Sequence, residues 1–250
     1  MNSLNIAGLG LKAQQNRVNV IGNNLANANT AGYKSQRVDF QDALYTQMMN
    51  PVDTQREDMR SGAGVLLGTT NRDYTQGTAV GTGEELDFYL EGDGFFTVQD
   101  ISGAKMYTRS GAFAISVEEG GNYLVTASGQ YVLDENSARI QLPDGAKAIK
   151  VNEDGSLWAN NTQFAKLNVV TFTNKNGLSA SGSSCFEETV ASGAPIASDA
   201  KVKQGGLEAS NVDLTVEMSR LIRAQKAFSM ASRAVSVWDE MEATTNSLRT

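Results

Sequence analysis

The sequence has no histidine, one cysteine and 3 prolines in 250 residues. Histidine is the commonest general base and the commonest metal ligand, so its absence removes the usual activator of serine and cysteine nucleophiles. Because Cys185 is the single cysteine, no intrachain disulfide forms, and a structural zinc site lacks its usual ligands. The polar stretch SGSSCFEE offers no basic neighbour to activate the thiol, so we expect an inert, partly buried side chain.

Excess positive charge and long apolar runs are lacking as well. The chain carries 21 Lys and Arg against 28 Asp and Glu, a net charge of −7. Nucleic-acid phosphates are bound by clustered Lys and Arg, so we expect no nucleic-acid partner. No apolar stretch approaches the roughly 18 residues that cross a bilayer, so we expect no membrane insertion. The start, MNSLNIAGLGLKAQQ, does not resemble a cleavable secretory signal, which leaves the cytosol or another export route.

Paired carboxylates are the remaining source of acid–base chemistry. Three adjacent pairs occur in polar, turn-like stretches: Glu84-Glu85, Glu118-Glu119 and Glu187-Glu188. None has apolar surroundings that would separate the two pKa values, so solvated loops are the preferred interpretation and a hydrolase is a rival. The stretch GAGVLLG misses the dinucleotide fingerprint by one residue. The sequence therefore predicts no enzyme activity and no cofactor.

Apolar residues recur every seven positions near the N-terminus. One row holds Leu4, Leu11, Val18 and Leu25, and Ile21 belongs to the adjoining row. This spacing predicts a helix with one narrow apolar seam of the coiled-coil type, and its polar flanks predict no second partner on the far side.

The stretch NNLANANTAGYK follows this seam directly. Asparagine is a poor residue inside a helix and tolerates left-handed conformations, so Asn27, Asn29 and Thr30 followed by Gly32 predict a helix end. Asn23 and Asn24 precede that end. We expect Asn23, Asn24 and Asn27 to make polar contacts near this helix end. The capped end leaves Asn23 and Asn24 unexplained, and for these two we expect hydrogen bonds to a neighbouring chain.

A second seam occupies the C-terminal region. Its heptad row and the adjoining row contain Leu214, Leu221, Phe228, Val235, Ala224, Ala231 and Trp238. Ser210 or Asn211 is the predicted N-cap. Each narrow seam requires another helix, either the other terminal helix or the equivalent helices of neighbouring subunits, and periodicity does not distinguish the two arrangements.

Between the two seams, short β-branched and aromatic runs alternate with turn residues. Four dipeptides predict hairpin turns: Asp93-Gly94, Ser128-Gly129, Asp144-Gly145 and Asp154-Gly155. The predicted fold is mixed α and β, with paired N- and C-terminal α-helices as a coiled coil and a central all-β domain. The predicted domains are an N-terminal helix (1–32), an extended linker arm (33–77), the β domain (78–205) and a C-terminal helix (206–250).

Several long motifs resemble those of one protein family. NNLANANTAGYKSQRVDFQDALY is similar to the N-terminal signature of bacterial flagellar rod and hook proteins, and ASNVDLTVEMSRLIRAQKAF is similar to its C-terminal partner. GDGFFTV, MYTRSGAF and LVTASGQYVL resemble the shared central β domain. The resemblance covers nearly the whole chain in the family's order. FQDALYTQMM followed by GAGVLLGTT is most similar to the distal rod members.

This resemblance implies a structural subunit of the flagellar basal body in the cell envelope. Its copies stack helically into a hollow tube, with the seam residues as inner core, and transmit motor torque to the hook. The implied partners are further copies, neighbouring rod and hook proteins, and the flagellar type III export apparatus with its chaperone-like factors. Export by that route would need no cleavable signal. A proximal rod or hook-type subunit and a secreted β-rich binding module are the alternatives.

Overall fold

The computed structural model describes residues 2–43, 46–47, 60–61, 64–118, 120–143, 145, 149–182 and 184–248. The chain forms two compact units. The first contains Met1–Ala26, Gln36–Asp73 and Val212–Thr250, and the second contains Asn27–Ser35 and Tyr74–Asn211. Packed terminal helices and a central β-rich domain confirm the predicted mixed α and β fold.

In the part that the structure describes, the first unit contains the two long helices and four short strands. They are α1 (Asn2–Ala26), β1 (Gln36–Asp42), β2 (Thr46–Gln47), β3 (Arg60–Ser61), β4 (Val65–Arg72) and α2 (Leu214–Ser247). The antiparallel pairs are β1 with β4 and β2 with β3. α1 packs against α2 and also against β1 and β4. The expectation that α1 has no second partner is therefore wrong, because the predicted arm supplies a sheet that covers it.

The start of α2 is fixed by Asp213. Its carboxylate oxygen Oδ1 accepts hydrogen bonds from the backbone N–H groups of Thr215 at 2.9 Å and Val216 at 3.1 Å. A carboxylate in this position satisfies donors that the first helical turn leaves unpaired and also favours the positive end of the helix. The predicted caps, Ser210 and Asn211, are wrong, since both precede the first helical residue by too many positions.

In its described residues, the second unit has seventeen short strands and a 3₁₀ turn at Lys175–Gly177. The strands are β5 (Ala79–Gly81), β6 (Phe88–Glu91), β7 (Phe95–Gln99), β8 (Lys105–Thr108), β9 (Phe113–Glu118), β10 (Gly121–Thr126), β11 (Tyr131–Val132), β12 (Gln141–Leu142), β13 (Ile149–Val151), β14 (Ser156–Ala159), β15 (Thr162–Lys166), β16 (Val169–Thr171), β17 (Ser179–Ala180), β18 (Cys185–Glu187), β19 (Ile196–Ala197), β20 (Lys201–Gln204) and β21 (Gly206–Glu208). The main sheet runs β12-β10-β11-β7-β8-β18-β17, with β9 beside β10 and β16 between β7 and β19. Smaller sheets are β13-β14-β15, β20-β6 and β21-β5.

Two of the predicted hairpin turns are confirmed. Gly129 and Gly155 adopt φ of +82° and +81° between the antiparallel pairs β10-β11 and β13-β14. The hairpin predicted at Asp93-Gly94 is wrong, because β6 pairs with β20 while β7 pairs with β8, β11 and β16. Asp144 of the fourth dipeptide lies outside the described residues.

The core of the second unit is apolar and has two parts. The larger cluster includes the fully buried Phe88, Leu90, Phe96 and Val98 from β6 and β7. The smaller cluster, called the aromatic cluster, consists of four aromatic residues and one valine: Phe95, Tyr107, Phe172, Phe186 and Val170. Neighbouring strand residues such as Phe95 and Phe96 face opposite sides of a strand, so β7 contributes to both clusters.

The aromatic cluster makes stability sensitive to alkaline pH. Burial, and then the Glu188 carboxylate that accepts the Tyr107 hydroxyl at 3.1 Å, raise the pKa of Tyr107 from 10.0 to about 12. The unfolded chain therefore loses this proton first, so the stabilisation is complete below pH 10 and declines as the pH rises towards about 12. In Tyr107→Phe we expect a weaker decline across that window, measured by urea unfolding at several pH values. Equal declines in the two proteins would contradict this assignment.

Candidate functional site

The predicted seam of α1 lies on its less exposed side. Ile21 is buried, and Leu11, Val18 and Leu25 are half-buried. Leu4 belongs to α1, and its side chain lies outside the described part of the chain. The other buried residues of α1 include a small one, Ala13, and a polar one, Asn24.

The predicted seam of α2 divides into a covered middle and exposed ends. Leu221, Phe228 and Val235 are half-buried, whereas Leu214 and Trp238 are 48% and 45% exposed. Buried residues on the same side of the helix are Glu217 and Ala224. Residues 217, 221, 224, 228, 231 and 235 thus form one face at alternating intervals of four and three.

A second set of apolar residues on α2 remains exposed in the single chain. These residues are Val216, Met218, Ile222, Met230, Val237 and Met241. α2 has 34 residues and is about 51 Å long, compared with about 38 Å for the 25 residues of α1. Because the partner helix is shorter, we attribute part of this exposure to the length difference.

The three predicted asparagines have different environments. Asn24 is 1% exposed, and its amide forms two bonds with Gln36, donating to the backbone oxygen at 2.8 Å and accepting from the backbone N–H at 2.9 Å. The sequence suggested a neighbouring chain for these bonds, and the structure provides a partner within the chain. Asn27 accepts both the backbone N–H and the hydroxyl of Thr30. Asn23 is exposed.

A buried ion cluster joins distant segments of the second unit. The Glu208 carboxylate binds Lys34 Nζ at 2.6 Å and Arg109 Nε at 2.5 Å, and all three side chains are at most 4% exposed. Glu208 Oε1 also accepts the backbone N–H of Gly77 at 2.9 Å. Desolvated charges of this kind are tolerated only when paired and hydrogen-bonded, and this carboxylate satisfies both conditions.

Backbone carbonyls complete the coordination of the two cations. Arg109 donates to the carbonyl oxygens of Gly94, Gly92 and Leu90, at 2.5, 2.6 and 3.2 Å. Lys34 donates to Thr75 O at 2.6 Å. One carboxylate therefore faces two buried cations, and the carbonyl dipoles stabilise the remaining positive charge.

Gly32 brings the segment Asn27–Ser35 close to this cluster. Its backbone N–H donates to the Glu208 carbonyl at 2.8 Å, and its φ of +69° lies in the left-handed region. A Cβ at this position would lie 2.4 Å from the backbone nitrogen of Ser110. Only glycine avoids both the conformational strain and the overlap.

Sequence reasoning missed the cluster and its three charged residues. Each of them lies within a short motif: Lys34 in TAGYK, Arg109 in TRSGAF and Glu208 in LEAS. A charged residue among small and apolar neighbours was the available signal. Their pairing could not be predicted from the sequence, because Lys34 and Arg109 lie 174 and 99 positions away from Glu208.

Some titratable groups outside the cluster have shifted pKa values, and most residues of the predicted carboxylate pairs are exposed. A hydrogen bond from Lys175 lowers the pKa of Asp93, and burial raises the pKa of the Cys185 thiol. Of the predicted pairs, Glu84, Glu85, Glu118 and Glu188 are exposed, Glu187 is half-buried, and Glu119 lies outside the described residues. Among described residues, no group of three or more His, Cys, Asp or Glu is arranged to hold a metal ion, and no helix is long and apolar enough to span a membrane.

Three sequence families match successive parts of the chain. Residues 4–34 match a family described as flagella basal body rod protein, residues 89–159 match the flagellar hook protein FlgE/F/G D1 domain, and residues 203–248 match the flagellar basal body rod FlgEFG protein C-terminal region. Lys34, Arg109 and Glu208 each fall within a different one of these matches. The buried ion cluster therefore joins all three.

Similarity to individual proteins extends over the full length. Flagellar basal-body rod protein FlgG of Agrobacterium fabrum is 37% identical over 260 residues, covering 96% of this chain and 97% of the relative. FlgG of Caulobacter vibrioides is 35% identical over 268 residues, covering 100% of both chains. These relatives favour the distal rod over a proximal rod subunit, a hook-type subunit or a binding module. The chain belongs to the family of bacterial flagellar rod and hook proteins, as a structural component of the basal-body rod and not an enzyme.

Proposed function

We propose that copies of this chain polymerise helically into the hollow distal rod, which transmits motor torque to the hook. The observation that carries this proposal is the full-length similarity to FlgG relatives. Its physical support comes from α2, where apolar residues continue around the helix beyond the face that is covered in the single chain. Exposed apolar surface on a helix favours association with another helix.

The proposed polymer distributes load over many equivalent contacts. A head-to-tail interface that does not close into a ring generates a helical filament. In such a tube the predicted core residues of α1 and α2 lie at the interfaces between terminal helices, while the β-rich unit of each copy folds around its own core. No single residue then carries the torque.

The proposed partners are further copies of the chain, neighbouring rod and hook proteins, and the flagellar type III export apparatus with its chaperone-like factors. Export of an unfolded chain without a cleavable signal is part of this proposal, and a single cysteine that forms no intrachain disulfide is compatible with unfolded passage. The proposed location is the rod within the cell envelope.

The substitution Leu221→Asp tests the assignment of the seam. Leu221 is a half-buried residue on the covered face of α2. Burying a carboxylate at this position costs desolvation energy that no introduced cation offsets. We therefore expect assembly to be abolished while the β-rich unit remains folded. Electron microscopy of concentrated protein measures polymer formation, and near-ultraviolet circular dichroism monitors the β-rich unit.

Gln225→Asp is the matched control. Gln225 is exposed on the same helix, so this variant introduces the same charge away from the covered face. We expect it to assemble as the original chain does. If Leu221→Asp subunits enter filaments normally, the seam assignment is wrong; if neither the original chain nor Gln225→Asp polymerises with rod proteins present, the proposed polymer is wrong.

A further inference from the structure

The C-terminal part of α2 is acidic and exposed on all sides. Residues 236–245, here called the acidic end, contain no Lys or Arg, and every one of them is exposed. Their carboxylates belong to Asp239, Glu240 and Glu242. Two apolar side chains of the same segment, Val237 and Met241, are 52% and 49% exposed. Apolar and charged side chains together on one uncovered segment are typical of a surface that binds another chain.

The middle of α2 carries the opposite charge on its exposed side. Arg223, Lys226 and Arg233 are exposed there, beside the exposed apolar residues Ile222 and Met230. At about 100° per residue, these five side chains lie on the side of the helix that is turned away from its covered face. They are here called the basic face.

The charges of the acidic end and the basic face do not meet within one helix. Among the described residues, no ion pair involves any of these six charged side chains. The nearest opposite charges, Arg233 and Asp239, are six positions apart, whereas neighbours on a helix surface are three or four positions apart. A second copy of the chain supplies the complementary surface that the same helix cannot reach.

We propose that the acidic end of α2 in one copy packs on the basic face of α2 in the next copy, with the two helices parallel and displaced by about 14 residues, or about 21 Å. The inference rests on the proposed polymer and deepens it, because it names a contact that repeats from copy to copy. Opposite charges at such a contact fix the register and the choice of partner.

The displacement follows from the positions of the charges and from the heptad repeat. Two heptads are 14 residues, so this displacement leaves equivalent seam positions of the two helices in register. It sets Glu240 of one copy level with Lys226 of the next. Residues 239–242 then lie level with residues 225–228, between the cations at 223 and 233. Each carboxylate of the acidic end thus has a cation within about one or two helical turns.

The parallel direction follows from polymerisation. In an antiparallel pair, each acidic end would lie on the basic face of the other copy, and the contact would close after two copies. A displaced parallel pair leaves one acidic end and one basic face unused, so that further copies add at both ends. Only the parallel arrangement therefore extends into a tube.

α1 offers a poorer surface for the acidic end. It contains two charged residues, Lys12 and Arg17, compared with the three cations of the basic face. α2, β1 and β4 already pack against α1 within one chain. The basic face of α2 has both the larger charge and the exposed apolar residues that match Val237 and Met241.

Charge reversal in the full-length chain tests the pairing. The acid-reversed variant is Asp239→Lys/Glu240→Lys/Glu242→Lys, and the base-reversed variant is Arg223→Glu/Lys226→Glu/Arg233→Glu. Lysine and glutamate are both good helix formers, and far-ultraviolet circular dichroism checks that α2 is retained. Three attractive pairs become three repulsive ones, so we expect each variant alone to require about tenfold more protein than the original chain to form tubes.

A one-to-one mixture of the two variants gives the decisive result. Each contact between different variants joins opposite charges, so we expect the mixture to form tubes at the concentration that the original chain requires, measured by light scattering and electron microscopy. Glu84→Lys/Glu85→Lys is the control, because it reverses two exposed charges of the β-rich unit. We expect it to assemble as the original chain does. A mixture that assembles no better than either variant alone would overturn the proposal.

The same variants distinguish α1 as the binding surface. If Lys12→Glu/Arg17→Glu restores tubes when combined with the acid-reversed variant in one chain, and the base-reversed variant does not restore them, the acidic end binds α1 and the proposal is overturned. If a triple variant loses its helix signal, Glu240→Lys and Lys226→Glu replace the triple variants, and the same comparison of separate and mixed chains applies.

Cross-linking tests the displacement. Lys226→Cys/Glu240→Cys places two thiols about 21 Å apart in one chain, too far for an intrachain disulfide. Under oxidising conditions that allow assembly, we expect a ladder of covalently linked chains on a non-reducing gel, whereas either single cysteine variant yields no ladder. The native Cys185 is buried. Linked pairs without longer products would indicate the closed antiparallel dimer and would overturn the proposed arrangement.

Failure of this contact differs from failure of the proposed function. If the original chain forms no tubes, the proposed function fails, while sedimentation velocity of the two charge-reversed variants still decides the pairing. Association in their mixture and not in either variant alone supports it, and no association in the mixture overturns it. Tubes that form equally well from both variants would remove this contact and leave the proposed polymer intact.

Discussion

Replacing Glu208 with glutamine is expected to destabilise the β-rich unit by about 3–5 kcal/mol, because the buried Lys34 and Arg109 lose the carboxylate that binds both of them. Glutamine has nearly the same shape, so the change removes charge without opening a cavity. Its amide nitrogen also presents a donor where the carboxylate presented an acceptor. Urea unfolding followed by tryptophan fluorescence measures the difference in the free energy of unfolding.

Glu153→Gln is the matched control for this experiment. Glu153 forms an ion pair with Lys201 at 2.7 Å, but the two side chains are 62% and 58% exposed. Solvent screens such a pair, so we expect the free energy of unfolding to remain unchanged within error. A loss in Glu208→Gln no larger than in the control would show that the buried cluster does not stabilise the unit.

The two helices show how much of the fold can be predicted from the periodicity of the sequence. A seven-residue repeat identifies Leu221, Phe228 and Val235, and the structure places all three on the covered face of α2. The corresponding repeat in α1 predicts only a helix as its packing partner, whereas β1 and β4 also pack against α1. Periodicity describes one helix at a time, and the sheet that covers α1 comes from segments whose own pattern is weak. Whether these residues form subunit interfaces stays a prediction.

Polar residues mark the limit of sequence reasoning in this chain. Asn211 has the residue type of an N-cap, yet Asp213 occupies the cap because its carboxylate reaches the N–H groups of the first turn. The sequence places Asn24 before the helix end, where it needs a polar partner, but does not identify that partner as Gln36. Local rules predict which polar groups need a partner. The identity of the partner depends on tertiary contacts.

The buried ion cluster could not be predicted for the same reason. Lys34, Arg109 and Glu208 come from three motifs that were each recognisable, and nothing local indicates that their charges meet. The sequence predicts that the glycine of TAGYK belongs to a helix end, although α1 already ends at Ala26. Gly32 instead allows its segment to lie against the backbone of Arg109 and Ser110.

Gly32→Ala is therefore expected to be strongly destabilising for the β-rich unit. A Cβ would lie 2.4 Å from Ser110 N and 2.6 Å from Arg109 C, and both of these are backbone atoms that cannot move aside as a flexible side chain does. The left-handed φ of +69° adds a conformational cost. From the steric overlap and the conformational cost together, we expect the free energy of unfolding to fall by about 3 kcal/mol or more, as measured by urea unfolding.

Gly83→Ala separates the two contributions to this loss. Gly83 has a similar φ of +77°, and a Cβ there meets no described atom within 4 Å. Its alanine variant therefore carries only the conformational cost, about 1 kcal/mol. The difference between the two variants measures the steric overlap beside the ion cluster, and faster amide exchange across residues 27–35 in Gly32→Ala alone would locate it. Equal losses in the two variants would mean that the segment shifts away from Ser110 at little cost, and that the close approach of TAGYK is not required for stability.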